Sequence, residues 1–318
     1  MLLLTEADVQ EIFPMAMALE RIEASFVEQH KGAVNRSRER LFRPGVSLHY
    51  MAASLPGEKL IGMKIYTVSR SAFRFLVLLY DDETGALLAL VEADHLGRIR
   101  TGAASGVASR YMARRDASRV GMIGTGRQAR TQLEAVAQAR KLESARVYSR
   151  DRAPREAFAE EMAPRLGFSV QPAESAEEAV RFGDIVITAT NSANPVLDGD
   201  WLRSGTHVNA IGANMLNRRE IDDRALARSA VIAVDTLEQA QEEAGDLVLG
   251  LGAIPGDWSS VVELHDIVAG TKPGRRSDDD ITTFKSSGIA LWDVASAGYI
   301  YRRALELGKG RSVSLWGE

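Results

Sequence analysis

Two hydrophobic patterns divide this chain. Between residues 47 and 91, apolar-rich stretches bounded by turn residues predict strands over 47–53, 60–67, 74–80 and 86–91. Asp81-Asp-Glu-Thr-Gly85 has the turn chemistry to join the last two as a hairpin. Between residues 120 and 235 the pattern changes to short, almost wholly apolar runs at 120–123, 145–149, 184–190, 206–212 and 230–235. Stretches with helical composition separate them, at 130–141, 155–166 and 175–182. Continuous apolar runs suit strands covered on both faces, and their alternation with helices predicts a doubly wound parallel sheet. Outside these blocks, Thr5-Glu-Ala-Asp8 reads as a capping box opening a helix over 9–30 despite Pro14. Small-residue helices are expected at 93–113 and in the segment that follows Thr282 and runs through Gly310, an acidic helix at 238–245, and irregular surface chain at 250–274.

Length and charge narrow the possibilities. A chain of 318 residues is expected to fold as two domains. A net charge of −4 with interspersed signs leaves no basic footprint, so nucleic acid is not an expected partner. The absence of cysteine excludes disulfides, thiolate metal ligands and cysteine nucleophiles. His30, His49, His95, His207 and His265 lack ligand spacing, so no metal site is expected. No signal-like N-terminus or bilayer-length apolar run is present, so the expectation is a cytoplasmic protein without membrane contact.

The run at 120–123 leads at once into Gly124-Thr125-Gly126-Arg-Gln128-Ala129 and then into a helix. That order suits a dinucleotide pyrophosphate: Gly124 for the tight turn, Gly126 for backbone approach, Ala129 for helix–strand packing. The helix start would add free N–H groups and its positive dipole end. After the second strand an acidic residue would favour NAD, but the chain has Ser149-Arg150-Asp151-Arg152. Ser149, Arg150 and Arg152 suit a 2′-phosphate while Asp151 keeps NAD open, so the segment leans to NADP. Thr188, Thr190 and Asn214 sit where carboxyl ends of parallel strands would meet a ligand.

Cations in apolar settings are the remaining signal. Lys64 interrupts a strand, either as a snorkelling stem or paired with an anion. Arg98 and Arg100 lie in the first turn of a helix, where cations oppose the dipole unless an anion is near. Arg36, Arg38 and Arg40 share one face if their segment is a strand, which is either a solvated basic edge or an anion-binding row.

Together, Gly62-Met-Lys64, residues 78–85, Leu96-Gly-Arg98-Ile-Arg100-Thr-Gly-Ala, the 124–129 turn and Thr282-Thr-Phe-Lys-Ser286-Ser-Gly288-Ile-Ala resemble the ornithine cyclodeaminase/mu-crystallin family. The resemblance implies a Rossmann-type nucleotide domain, taken as 118–289, inserted into an α+β substrate-binding and dimerisation domain, 1–117 plus 290–318. It also implies an interdomain active site, a homodimer, and Ser286 and Gly288 beside the cofactor. By position, Lys64 and Arg100 match the family's substrate-binding lysine and arginine, and Arg38 best matches a second arginine, with Arg40 its neighbour. Cyclodeaminases of the family carry an aspartate six residues before a glutamate; here Asn214 precedes Glu220, and an amide is no general base. The expected activity is therefore NAD(P)H-dependent reduction of a 2-imino acid to an L-amino acid. Arg40, Arg98 and Asn214 are expected to bind substrate, and with Arg70 nearby a dicarboxylic imine, iminosuccinate, is a candidate. Cyclodeamination and a non-enzymatic NADPH-binding role like that of mu-crystallin are the alternatives.

Overall fold

Thr5 caps the first helix as its sequence predicts: its Oγ1 accepts from Asp8 N at 3.4 Å, and Asp8 Oδ2 accepts from Thr5 N at 2.9 Å. The helix expected over 9–30 is two helices, α1 (Glu6–Ile12) and α2 (Met15–His30), with Pro14 as the N-cap of the second. Proline has no N–H to continue the first helix, but its extended conformation starts the next one well.

The computed structural model describes residues 1–254 and 256–315. Around the two helices the chain forms β1 (Leu2–Leu4), β2 (Val34–Asn35), β3 (Glu39–Arg43), β4 (Val46–Leu55), β5 (Leu60–Ser69), β6 (Phe73–Asp81) and β7 (Leu87–Glu92). Helix α3 (Asp94–Met112) follows. Then come β8 (Arg119–Ile123), α4 (Arg127–Ala139), β9 (Ser144–Tyr148), α5 (Arg152–Leu166), β10 (Ser169–Pro172), α6 (Ala176–Phe182), β11 (Ile185–Thr188) and β12 (His207–Ala210). The series continues with α7 (Asp223–Arg228), β13 (Ser229–Val234), α8 (Leu237–Glu243), α9 (Gly245–Leu249), β14 (Val261–Glu263), α10 (Leu264–Val268) and β15 (Ile281–Lys285). Helix α11 (Ala290–Leu307) and β16 (Arg311–Ser312) complete it.

Two units result, residues 1–101 with those from 288 onward, and residues 102–287. The boundaries lie earlier than the 117/118 and 289/290 read from the sequence. Residues from Gly102 on pack with the second unit: a Cβ on Gly102 would collide with Thr131 O, and Ser109 Oγ accepts from Asn209 Nδ2 at 2.9 Å. The small residues of α3 permit that approach.

In the first unit the sheet order is β16-β1-β7-β6-β5-β4-β2, with β3 also on β4. Helix α11 packs on β4, β5 and β6 and is backed by α2. Gly62 admits it: a Cβ there would lie 3.0 Å from Val294 Cγ2 and 2.8 Å from Leu78 O.

The second unit is a parallel sheet in the order β10-β9-β8-β11-β12-β15-β13-β14, with helices between the strands. This is the Rossmann-type doubly wound fold. Strand order reverses between β8 and β11, so a ligand crevice is expected at their carboxyl ends, where Gly124 stands. Strand β15 lies inside the sheet although Ile-Thr-Thr-Phe-Lys is half polar and no apolar run marks it. Neighbours satisfy its polar groups: Thr282 Oγ1 pairs with His207 Nδ1 at 2.9 Å, and Thr283 Oγ1 with Ser229 Oγ at 2.7 Å. The stretch 250–274 also departs from expectation, since Val261, Leu264 and Ile267 are buried and form part of β14 and α10. No helix among the described residues is long and apolar enough to cross a membrane.

Candidate active site

Lys64 does not reach for solvent. Its side chain is 4% exposed, and Nζ donates to Asp293 Oδ1 at 2.7 Å. Arg100 Nε donates to the same oxygen at 3.1 Å and is 5% exposed. Arg38, also buried, donates from Nη2 to Gly288 O at 3.0 Å. Three elements thus converge: β5 delivers Lys64, α3 delivers Arg100, and the first turns of α11 deliver Asp293. Gly288 has φ +79°, and a Cβ there would lie 2.7 Å from Arg100 Nη1, so glycine leaves room for the guanidinium. Arg100 also lies over the Trp292 ring at 5.5 Å, and Lys64 Nζ lies 5.5 Å from the Phe75 ring centre.

The charges do not balance. Lys64 and Arg100 share one carboxylate oxygen, and Asp293 Oδ2 has no hydrogen-bond partner among the described residues. Burial pushes the Lys64 ammonium from its ordinary 10.5 down to about 8; Asp293 opposes this, while Arg100 and Arg38 add to it. Dry cations that outnumber their carboxylate form short charge-assisted bonds with any further anion that reaches them.

The glycine turn in the second unit has the geometry its sequence predicts. Gly124 adopts φ +107°, and a Cβ there would collide with Ala189 O, so only glycine fits. Around Gly126 an added Cβ would meet nothing within 4 Å. Gly126 caps α4 without a side-chain hydrogen bond, and no acidic residue stands in the first turn. Open space before uncapped N–H groups fits a pyrophosphate. Ala129 is fully buried against the sheet, whereas Thr125 and Gln128 are half-buried, with Gln128 Oε1 buried and unpaired.

The other expected residues have these surroundings. Gly288 belongs to the first unit, where its carbonyl accepts from Arg38. Thr188 and Thr190 give their hydroxyls to Glu220, at 3.0 and 2.8 Å, and Ser286 gives its own to Asp235 at 3.0 Å. Ser149 Oγ donates to Asp151 O, Arg152 pairs with Glu156, and Arg150 is exposed. Arg98 stands about 200° around the helix from Arg100 and pairs with Asp94 at 3.4 Å, so it does not join the cluster. Arg40 is half-buried on β3, in register with His49. Asn214 follows β12 in the loop at its carboxyl end.

Sequence reading missed Asp293, the carboxylate that Lys64 and Arg100 share. Its signal was a lone acid inside the apolar run Gly288-Ile-Ala-Leu-Trp-Asp293-Val, a placement that demands a buried partner.

Comparison with known proteins agrees with this arrangement. The model of the ornithine cyclodeaminase/mu-crystallin family matches residues 1–308. A Δ1-pyrroline-2-carboxylate reductase from Bacillus cereus is 36% identical over 271 residues, 83% of either chain. The structure of the Thermococcus litoralis Δ1-pyrroline-2-carboxylate reductase in complex with NADH and L-proline superposes with a TM-score of 0.94 at 37% identity, covering 98% of this chain and all of that one. An archaeal alanine dehydrogenase dimer with bound NAD gives 0.93 at 32% identity, covering 99% of each chain. With its fold, its cationic cluster and its glycine turn in place, the chain belongs to the ornithine cyclodeaminase/mu-crystallin family.

Proposed function

We propose that this NAD(P)-dependent oxidoreductase reduces a 2-imino acid to the L-amino acid, with the imino carboxylate held by Lys64, Arg100 and Arg38. One observation carries the reading: two buried cations, Lys64 and Arg100, share a single oxygen of Asp293, so that trio is one anion short of neutral, and Arg38 is held beside it on the Gly288 carbonyl. Relatives named as pyrroline-2-carboxylate reductase and alanine dehydrogenase act on substrates that carry such a carboxylate.

A bound reduced nicotinamide supplies the hydride. Thr125, Gly126 and the start of α4 would hold its pyrophosphate, with Gln128 beside it. Arg38 and Arg100 orient the substrate carboxylate, making productive geometry a property of the bound state. Lys64 Nζ donates a proton to the imine nitrogen, and its value of about 8 makes it a competent acid near neutrality. Asp293 keeps Lys64 in place and resists its premature deprotonation.

On substrate, a monocarboxylic imine, such as the cyclic one in the relatives' names, needs nothing beyond this cluster. The second carboxylate of iminosuccinate would depend on Arg40, since Arg98 is paired elsewhere and Arg70 is exposed beyond the end of β5. NADP use would rest mainly on Arg150, and the NADH and NAD bound by the relatives support NAD equally well. For cyclodeamination Asn214 offers no carboxylate.

Assembly as a homodimer is part of the same reading. The sheet face of the first unit turned from α11 carries half-buried Leu48, Tyr50, Met63, Ile65, Leu76 and Leu78, with no element packed on it among the principal contacts of the described residues. A second copy is the occupant that suits it, and a relative, the archaeal alanine dehydrogenase, is described as a dimer. Ile65→Lys should yield monomers by light scattering; a variant that stays dimeric would move the interface elsewhere.

Oxidation of NADH and NADPH should be followed with Δ1-pyrroline-2-carboxylate, iminosuccinate, and pyruvate plus ammonia or methylamine. Turnover with at least one imine is expected. Lys64→Met should lower turnover by about 10²–10⁴-fold with nucleotide affinity unchanged. Near-normal turnover in that variant, or a wild type indifferent to both nucleotides, rejects the assignment.

A further inference from the structure

The second unit holds a buried carboxylate that the reaction does not use. Glu220 is fully buried and gathers four donors. Its Oε1 accepts from Thr190 N at 2.6 Å and Thr190 Oγ1 at 2.8 Å. Its Oε2 accepts from Thr188 Oγ1 at 3.0 Å and Gly212 N at 2.5 Å. One side chain therefore ties the carboxyl end of β11 to that of β12. Behind it, Asp246 Oδ1 accepts from Glu220 N at 2.6 Å and Ile221 N at 3.0 Å, while Asp246 Oδ2 pairs with Lys285 Nζ at 2.8 Å. Lys285 also donates to Ala213 O at 2.5 Å.

Three fully buried charged groups are a costly way to hold loops, because apolar packing of similar volume is usually as stable. Burial pushes the Glu220 carboxyl up, and Lys285 works against it. What the cluster does supply is direction. Glu220 grips the main chain of Thr190, and the adjoining Ala189 carbonyl is the group that a side chain at Gly124 would strike. Gly212 is pressed equally close, since a Cβ there would collide with Thr190 O and come within 2.5 Å of Glu220 Oε1.

We propose that Glu220, braced by Asp246 and Lys285, is a positioning residue for the dinucleotide: it fixes the Ala189–Thr190 backbone against which the Gly124 turn is set. The inference rests on the reading of that turn as the nucleotide site. Each oxygen of Glu220 faces one main-chain N–H, so a glutamine must point its NH₂ group at one of them. Glu220→Gln should therefore raise the KM for NAD(P)H by at least about tenfold, with kcat and the imino-acid KM within about twofold of wild type. Thr188→Val removes one donor and should raise the same KM less. Asp184→Asn, which disturbs the opposite ends of the same strands, serves as the comparison: it should lower Tm and leave the nucleotide KM alone. A Glu220→Gln enzyme whose Tm falls while its nucleotide KM stays normal overturns the proposal. If that variant does not fold, an unchanged nucleotide KM in Thr188→Val overturns it instead. Failure of the wild type to bind either nucleotide would remove the underlying reading, a result distinct from both.

Discussion

Asp184 and Asp293 are each met by more than one cation, yet they sit in opposite electrostatic settings. Asp184 lies just before β11 and accepts from Arg119 and Arg203 at 2.9 and 3.0 Å, from Arg114 at 3.3 Å, and from the N–H groups of Ser118 and Arg119. Both its oxygens are engaged, and its arginines remain 26–41% exposed, so water shares the excess charge. Asp293 offers one oxygen to two cations that are almost wholly dry and leaves its other oxygen without a hydrogen bond among the described residues. Similar residues thus make a finished joint in one unit and an unfinished one in the other. The difference is hydration: solvated arginines can outnumber their acid at little cost, whereas buried cations await a second anion.

The largest effect that tests this contrast is the loss of an unscreened cation. Arg100→Met should cut kcat/KM for the imino acid by about 100-fold or more, the scale of removing one partner from a buried charge pair. Steady-state kinetics that show less than a fivefold change would make Asp293 another structural joint. Asp293→Asn comes next. On the proposed reading protonated Lys64 is the proton donor, so wild-type kcat/KM should fall as pH rises through about 8. Asp293 holds that value up, so the amide should move the falling limb to lower pH; a limb that stays put, or moves up, contradicts the pairing.

The smallest effect belongs to the finished joint. Asp184→Asn should cost about 1–3 kcal/mol in urea unfolding while the pH–rate profile is unchanged. Burial pushes the Asp184 carboxyl up, but the Arg119 hydrogen bond and neighbouring donors outweigh it and hold the group below its ordinary 3.8. A depressed carboxyl stabilises the fold above the unfolded value, and that contribution is lost as pH falls below it. Wild type should therefore lose stability more steeply than the variant as pH falls below about 4, as monitored by circular dichroism.

The sequence was most legible where one residue type answers one local demand. The capping box at Thr5, the hairpin at 81–85 and the glycine turn at 124–129 each depend on neighbours a few residues away, and each appears as read. Lys64 and Arg100 could be singled out because a cation in an apolar or dipole-opposed setting requires an explanation wherever the chain folds. Their common partner was beyond reach. Asp293 lies 229 residues from Lys64 along the chain, and no local pattern records that separation.

The same division applies to the hydroxyls at strand ends. Thr188, Thr190 and Ser286 stand there, and the sequence determines that much, but tertiary structure decides that they donate to Glu220 and Asp235. Strand β15 escaped notice because partners on β12, β13 and α9 satisfy its threonines and lysine, making a polar segment fit for the interior. By itself, then, the chain determined its alternation of strands and helices, its turns and its list of unusual cations, all of them consequences of short-range sterics and periodicity. Tertiary structure alone decided which carboxylate meets which cation and which hydroxyl is already taken, because burial and hydrogen-bond satisfaction are settled only when distant segments meet.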